Sequence, residues 1–268
     1  MCAAHLQIVS PSDIQGTLLN LKTLLRDDSV LQQYDFDDSF LTRFLYSTRF
    51  HVASALQKIQ EYHFVLIHNP KWFGFSDTVR INHEDINNKA FINGCDKVGR
   101  RILLIKLGKL NVRQTSAEQQ AFLFNILLEK ANFDVLTLQH GFCMIIDVSG
   151  FPWKLAQWLT LNNLKMGTKL IENYPIKEVI VHIVNKSYLL QCSINIVWPL
   201  LSDHTKELIK FHFTDWESLH EYIDPKILPK EYGGTGPELD FEKTENDVLK
   251  NIDYLTKTIR ENMCLRNV

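Results

Sequence analysis

The sequence predicts an α/β fold, a mostly parallel sheet flanked by helices, preceded by a small all-α module. Three observations carry this. Two near-continuous apolar runs, GFCMIIDV (141–148) and EVIVHIV (178–184), are separated by helical segments. Strands that are apolar on both faces belong to parallel sheets covered on both sides. The stretch before residue 75 reads as helices, and 268 residues suffice for one principal domain with a smaller helical one. The expected division is 1–75 for the helical module, 76–240 for the pocket domain and 241–268 for a C-terminal amphipathic helix.

The elements follow in order. Residues 12–28 form a short helix with Leu18, Leu21 and Leu25 on one side. Asp35, Asp37 and Asp38 offer helix-start side chains for a second, in which Phe40, Leu41, Phe44 and Leu45 recur at helical spacing. A third, 52–67, aligns Val52, Leu56, Ile59, His63 and Leu66, and Asn69-Pro70 ends it. Turn chemistry at 93–100 precedes a strand, 101–107, and a helix, 116–133. After strand 141–148 the chain turns at Ser149-Gly150, and Pro152 opens a long helix through Trp158, Met166 and Leu170. A Tyr174-Pro175 turn leads into strand 178–184. Helix 188–201 then aligns Leu190, Ile194, Val197 and Leu201 in one stripe, and Pro199 ends or kinks it. Residues 206–213 read as a strand. Val248, Ile252, Leu255 and Ile259 form the seam of the last helix.

Composition narrows the function. A net charge of −2 without a basic field argues against nucleic acid as a partner. Five scattered cysteines with no Cys-x-x-Cys pair suit a reducing compartment and form no zinc site. The first residues lack the basic start and apolar run of a secretion signal, and helix 188–201 is too short to span a bilayer. The expected location is therefore cytoplasmic; the resemblance given below adds a peripheral place at membranes. No Gly-x-Ser-x-Gly or P-loop occurs, Gly233 to Gly236 reads as a closing turn, and Asp147 as a residue tying down the turn after its strand. No enzyme activity, catalytic residue, metal or cofactor is expected.

Three phrases carry a resemblance. They are the Tyr174-Pro175 turn before a strand ending at Asn185, the apolar helix after it, and Leu228-Pro229-Lys230-Glu231-Tyr232-Gly233-Gly234. With Phe44-Leu45 in the helical module and the Asp96-to-Arg100 hairpin, the chain resembles the CRAL-TRIO family over nearly its whole length. That resemblance implies a carrier of a small hydrophobic molecule, held in an apolar cavity under a mobile lid, helix 188–201. The implied wall draws on Phe124 and Leu128, on Phe142, Met144 and Ile146 (one strand face by alternation), and on Trp158, Met166 and Leu170. Val181 and Ile183 continue it, and the lid adds Tyr188, Leu190, Ile194, Val197 and Leu201. Each of these side chains also reads as ordinary core.

The ligand stays open among a tocopherol, a retinoid and a carotenoid-like compound. The alternatives are a phospholipid or sterol exchange protein and a scaffold whose cavity has shrunk. Phe124 and Leu128 replace hydroxyl side chains of the tocopherol-binding relative, which argues against tocopherol and implies either a drier site or polar anchoring from elsewhere, with Asn125 and Tyr188 as candidates. Of the basic positions that hold phosphoinositide headgroups in some relatives, only Lys177 matches. Thr48, Val179, His204 and Leu208 stand at the others, with Lys206 and Lys210 nearby, so weak phosphoinositide selectivity is expected. Exposing some eight apolar lid side chains would cost roughly 10–20 kcal/mol, more than an ordinary domain sustains. The lid is therefore expected to open only in transient contact with a membrane.

Overall fold

The structure, a computed structural model, describes residues 11–76, 78–158 and 160–265. The segment read as lacking a secretion signal falls largely on residues 1–10, outside the described residues, and the side chain of Leu190 is likewise outside them.

The chain opens with α1 (Pro11–Asp27), β1 (Tyr34–Phe36), α2 (Asp38–Ser47) and α3 (Val52–His68). Asp37 starts α2 by accepting the backbone N–H groups of Ser39 and Phe40, which would otherwise be orphaned. Next come α4 (His83–Ile86), the hairpin β2 (Lys89–Cys95) and β3 (Arg101–Lys106), α5 (Ala117–Asn132), α6 (Val135–His140) and β4 (Phe142–Asp147). Then follow α7 (Leu161–Asn173), β5 (Val179–Val184), α8 (Tyr188–Val197), α9 (Asp203–Leu208), β6 (Ile209–Phe213) and α10 (Trp216–His220). α11 (Phe241–Glu261) and β7 (Met263–Leu265) end the chain.

The five-stranded sheet has the order β2-β3-β4-β5-β6. Only β2 runs antiparallel to its neighbour; β3 through β6 are parallel. β1 and β7 pair separately as an antiparallel ribbon. Period-two alternation sorts the strand side chains onto two covered faces. Cys143, Ile145, Ile180 and Val184 pack beneath Leu219, Ile223, Leu228 and Tyr232. Phe142, Met144 and Val179 face the other way, into a core shared with α2, α3, α5 and α11. That core runs continuously across residue 75. Its centre is an edge-to-face aromatic stack in which Tyr62 lies 5.8 Å from Phe44, 5.3 Å from Phe73 and 5.8 Å from Tyr174.

Two elements differ from expectation. The long helix from Pro152 is broken. Trp153–Trp158 is a 3-10 segment, and Thr160 starts α7 afresh by accepting the Asn163 N–H at 3.1 Å. Residues 206–213 are not one strand, because Ser202 caps a helical turn over Asp203–Leu208 and the strand begins only at Ile209. In both places a hydroxyl cap, a local signal, overrides the apolar pattern.

On the sheet face away from α7 a buried histidine pair sets a pH dependence. Ser218 Oγ donates to the Asp215 carbonyl at 2.9 Å and so accepts from His212 Nδ1 at 2.7 Å. His212 Nε2 must then accept from His182 Nδ1 at 2.8 Å, leaving His182 Nε2 buried without a partner. Burial, with the nearby His212 and Arg100, pushes His182 down to about 3 from an ordinary 6.5. Between about pH 3 and 6.5 the unfolded chain binds that proton and the folded chain does not. Stability is therefore expected to fall by about 1.4 kcal/mol per pH unit as pH drops below 6.5 toward 3. Urea melts at pH 7 and pH 5 measure this, and His182→Phe should remove about one proton from the slope.

Candidate functional site

Over Met144 and Ile146 on β4 and Val181 and Ile183 on β5, the sheet is roofed by α7 and by the α8–α9 segment, with a cavity of ≈ 640 Å³ between. α7 contributes Leu164, Gly167, Thr168 and Ile171; the roof adds Val197, Leu201, Thr205 and Leu208. The strands put these residues there because Met144 and Ile146 lie in parallel register beside Val181 and Ile183. Their apolar side chains form the floor.

One end is polar. Ser47, Lys58, Glu172, Lys177, Ser202 and His204 border the space. Burial alone pushes the Lys58 ammonium down to about 8. Its one hydrogen bond is to Ser47 Oγ at 3.4 Å, and no carboxylate pairs with it among the described residues. Lys177 donates to the Gln139 carbonyl at 3.2 Å. Glu172 would be raised by burial, but hydrogen bonds from Ser202 and Thr205 hold it below the ordinary carboxylate value. Glu178 borders it too, so the site is an apolar slot whose polar end carries two ammonium groups and two carboxylates, suited to a hydrophobic body with a polar head.

The predicted wall residues separate into groups. Met144, Ile146, Val181, Ile183, Val197 and Leu201 line the main cavity, as does Lys177. Phe124, Trp158 and Leu170 line a second, apolar cavity of ≈ 280 Å³, open to solvent on one side, with Trp72 and Ala121. Phe142 and Leu128 belong to the solid core, because both side chains are buried among α2, α3 and α5 residues. Met166 packs against that core from α7. On α8, Ile194 is half-buried and borders neither cavity, and Tyr188 is 80% exposed. Asn125 cannot anchor a ligand with its amide N–H, which is spent on the Trp72 carbonyl at 2.8 Å. Lys206 pairs with Asp203 at 2.9 Å. Lys210 lies beside His182 in the strand register, on the sheet face away from the cavity. Of the α8 side chains described, Val197 faces the cavity; those of 189–193 lie outside the described residues.

Sequence reasoning missed Lys58, Leu164, Gly167, Thr168 and Ile171. The α7 set was legible as one helix face; Lys58, on a surface helix with no carboxylate partner, carried no local signal.

The model of the CRAL/TRIO domain matches residues 86–234, more than half of the chain. This chain belongs to the CRAL/TRIO family. Clavesin-1 of Rattus norvegicus is 31% identical over 212 residues, covering 76% of this chain and 59% of that protein. The chain therefore spans under two thirds of the length of that relative. Clavesin-2 of Mus musculus is 30% identical over 257 residues, covering 88% of this chain and 78% of the relative. The crystal structure of Sfh5 shares the fold with a TM-score of 0.57 at 13% identity, over 88% of this chain and 92% of that one. The CRAL/TRIO family comprises lipid-binding transfer proteins. Of the five positions compared with the headgroup-binding relatives, Lys177, Val179, His204 and Leu208 line the main cavity and Thr48 does not. Among the described residues no group of histidine, cysteine or acidic side chains is placed to hold a metal, and no helix is long and apolar enough to cross a membrane.

Proposed function

We propose that this CRAL/TRIO protein carries one small hydrophobic molecule in the cavity beneath α7 and α8 and exchanges it at membranes. The observation that carries this is the ≈ 640 Å³ apolar space left over the β4–β5 floor. With a non-hydrogen atom filling about 30 Å³, that space takes roughly 20 atoms, the size of a retinoid. Two 16-carbon acyl chains would need about 1,000 Å³ on the same measure, more than this cavity holds by itself. The scaffold alternative expected Trp158 and Phe142 to fill the space, but Phe142 lies in the core and Trp158 against the smaller cavity.

Membrane contact is supported by the cover itself. Tyr188 and Ile196 on α8, 80% and 52% exposed, and Leu161 at the start of α7, 64% exposed, are apolar side chains that a bilayer interface would take up. Lys58 and Lys177 at the mouth favour a ligand head that accepts hydrogen bonds.

Native mass spectrometry of the protein purified from its own tissue tests the reading. A bound mass of a few hundred daltons is expected; a diacyl phospholipid mass, or no ligand, would count against it. Val197→Asp, which puts a charge into the cavity roof, should cut ligand extraction from liposomes more than tenfold with the circular dichroism unchanged. Undiminished transfer would remove α8 from the mechanism.

A further inference from the structure

The two cavities share three residues of α7, Asn163, Gly167 and Ile171. Spaced four apart, they form one ridge along the helix. Leu164 and Thr168 slope from it into the main cavity, and Leu170 into the smaller one. The ridge is the partition, and at its middle it has no side chain. A Cβ built on Gly167 meets nothing within 4 Å, and its backbone is not in the left-handed region. Alanine would fit there and would favour the helix, so packing within the protein does not call for glycine. Open space above bare backbone, between two apolar cavities, suits a ligand that passes close to the helix.

We infer that Gly167 is a notch through which the ligand's tail crosses α7 into the second cavity. At about 30 Å³ per non-hydrogen atom, the main cavity holds roughly 20 atoms and the second, at ≈ 280 Å³, about 9 more. The ligand class is then a lipid with a single long tail and about 30 non-hydrogen atoms. Its head lies at Lys58 and its tail end at Phe124 and Trp158. This deepens the carrier reading and rests on it.

Extraction of straight-chain primary alcohols of 18, 24 and 28 carbons from phosphatidylcholine vesicles tests the notch. A methylene is buried equally in bilayer and cavity, so extraction is flat with chain length while the tail fits. It drops about fourfold for each methylene left in water. The unaltered protein should extract all three alcohols alike. Gly167→Leu should extract the 18-carbon alcohol normally and the 28-carbon alcohol at least a hundredfold less. Ala121→Phe, which fills the second cavity from α5, should do the same, and it decides the matter if Gly167→Leu fails to fold. Unaltered protein whose extraction already collapses beyond about 20 carbons, or folded variants that keep its profile, overturns the notch and leaves the carrier standing. Failure of the unaltered protein to extract even the 18-carbon alcohol overturns the carrier reading, and the notch with it.

Discussion

Glu129→Ala is expected to lower the unfolding free energy by about 3–5 kcal/mol. Glu129 on α5 takes both oxygens to Arg43 Nη1 on α2, at 2.7 and 2.8 Å, and both side chains are buried. Losing the carboxylate strands a guanidinium inside a core that also holds Tyr62 and Tyr174. Burial, with Glu129 close by, drives both phenols up, so neither can ionise to replace the lost charge. Removing one member of a buried pair costs far more than removing both. Arg43→Met with Glu129→Leu should therefore recover most of the loss. The shift in urea midpoint at constant m-value measures it; a single-variant loss under about 1 kcal/mol would mean that water reaches the pair.

Asp147→Ala is expected to cost a further large amount, about 3–5 kcal/mol, by leaving two or three donors unsatisfied at about 1–3 kcal/mol each. At the end of β4 its Oδ1 accepts from Asn185 Nδ2 at 2.8 Å and from Ser149 N at 2.9 Å. Its Oδ2 accepts from the fully buried Tyr232 hydroxyl at 2.8 Å. One carboxylate thus ties the β4 turn, the launch of α8 and the closing Leu-Pro-Lys-Glu-Tyr-Gly-Gly segment together. Asn185 sits at φ 64, a left-handed conformation that asparagine tolerates and that its bond to Asp147 secures. Loosening it should free α8 as well as weaken the fold. The variant should release bound ligand faster in proportion to its destabilisation, whereas Tyr232→Phe should lose stability with little change in release. Equal release rates for the two would separate Asp147 from the cover.

Much of this was legible in local pattern. The runs of β4 and β5 read as parallel strands because both their faces are apolar, and alternation put Met144 and Ile146 on the cavity floor together with Phe142. Alternation cannot say where along a face solid core gives way to open space. That is why Phe142, one end of the same row, is packed and Ile146 is not. Helical spacing likewise aligned the α8 stripe but could not foresee that Tyr188 would stand in solvent. The sequence also left the hydroxyl caps of Thr160 and Ser202 competing with longer apolar patterns, and the caps prevailed.

The sequence by itself determined the family, the parallel character of the apolar strands and the closing segment, because those depend on short-range residue chemistry and on words that survive intact in the chain. Only the tertiary structure decided the cavity's size, its partition at Gly167 and the unpaired ammonium of Lys58. Each of these depends on what distant segments fail to fill, and vacant volume and missing partners leave no trace in the order of residues.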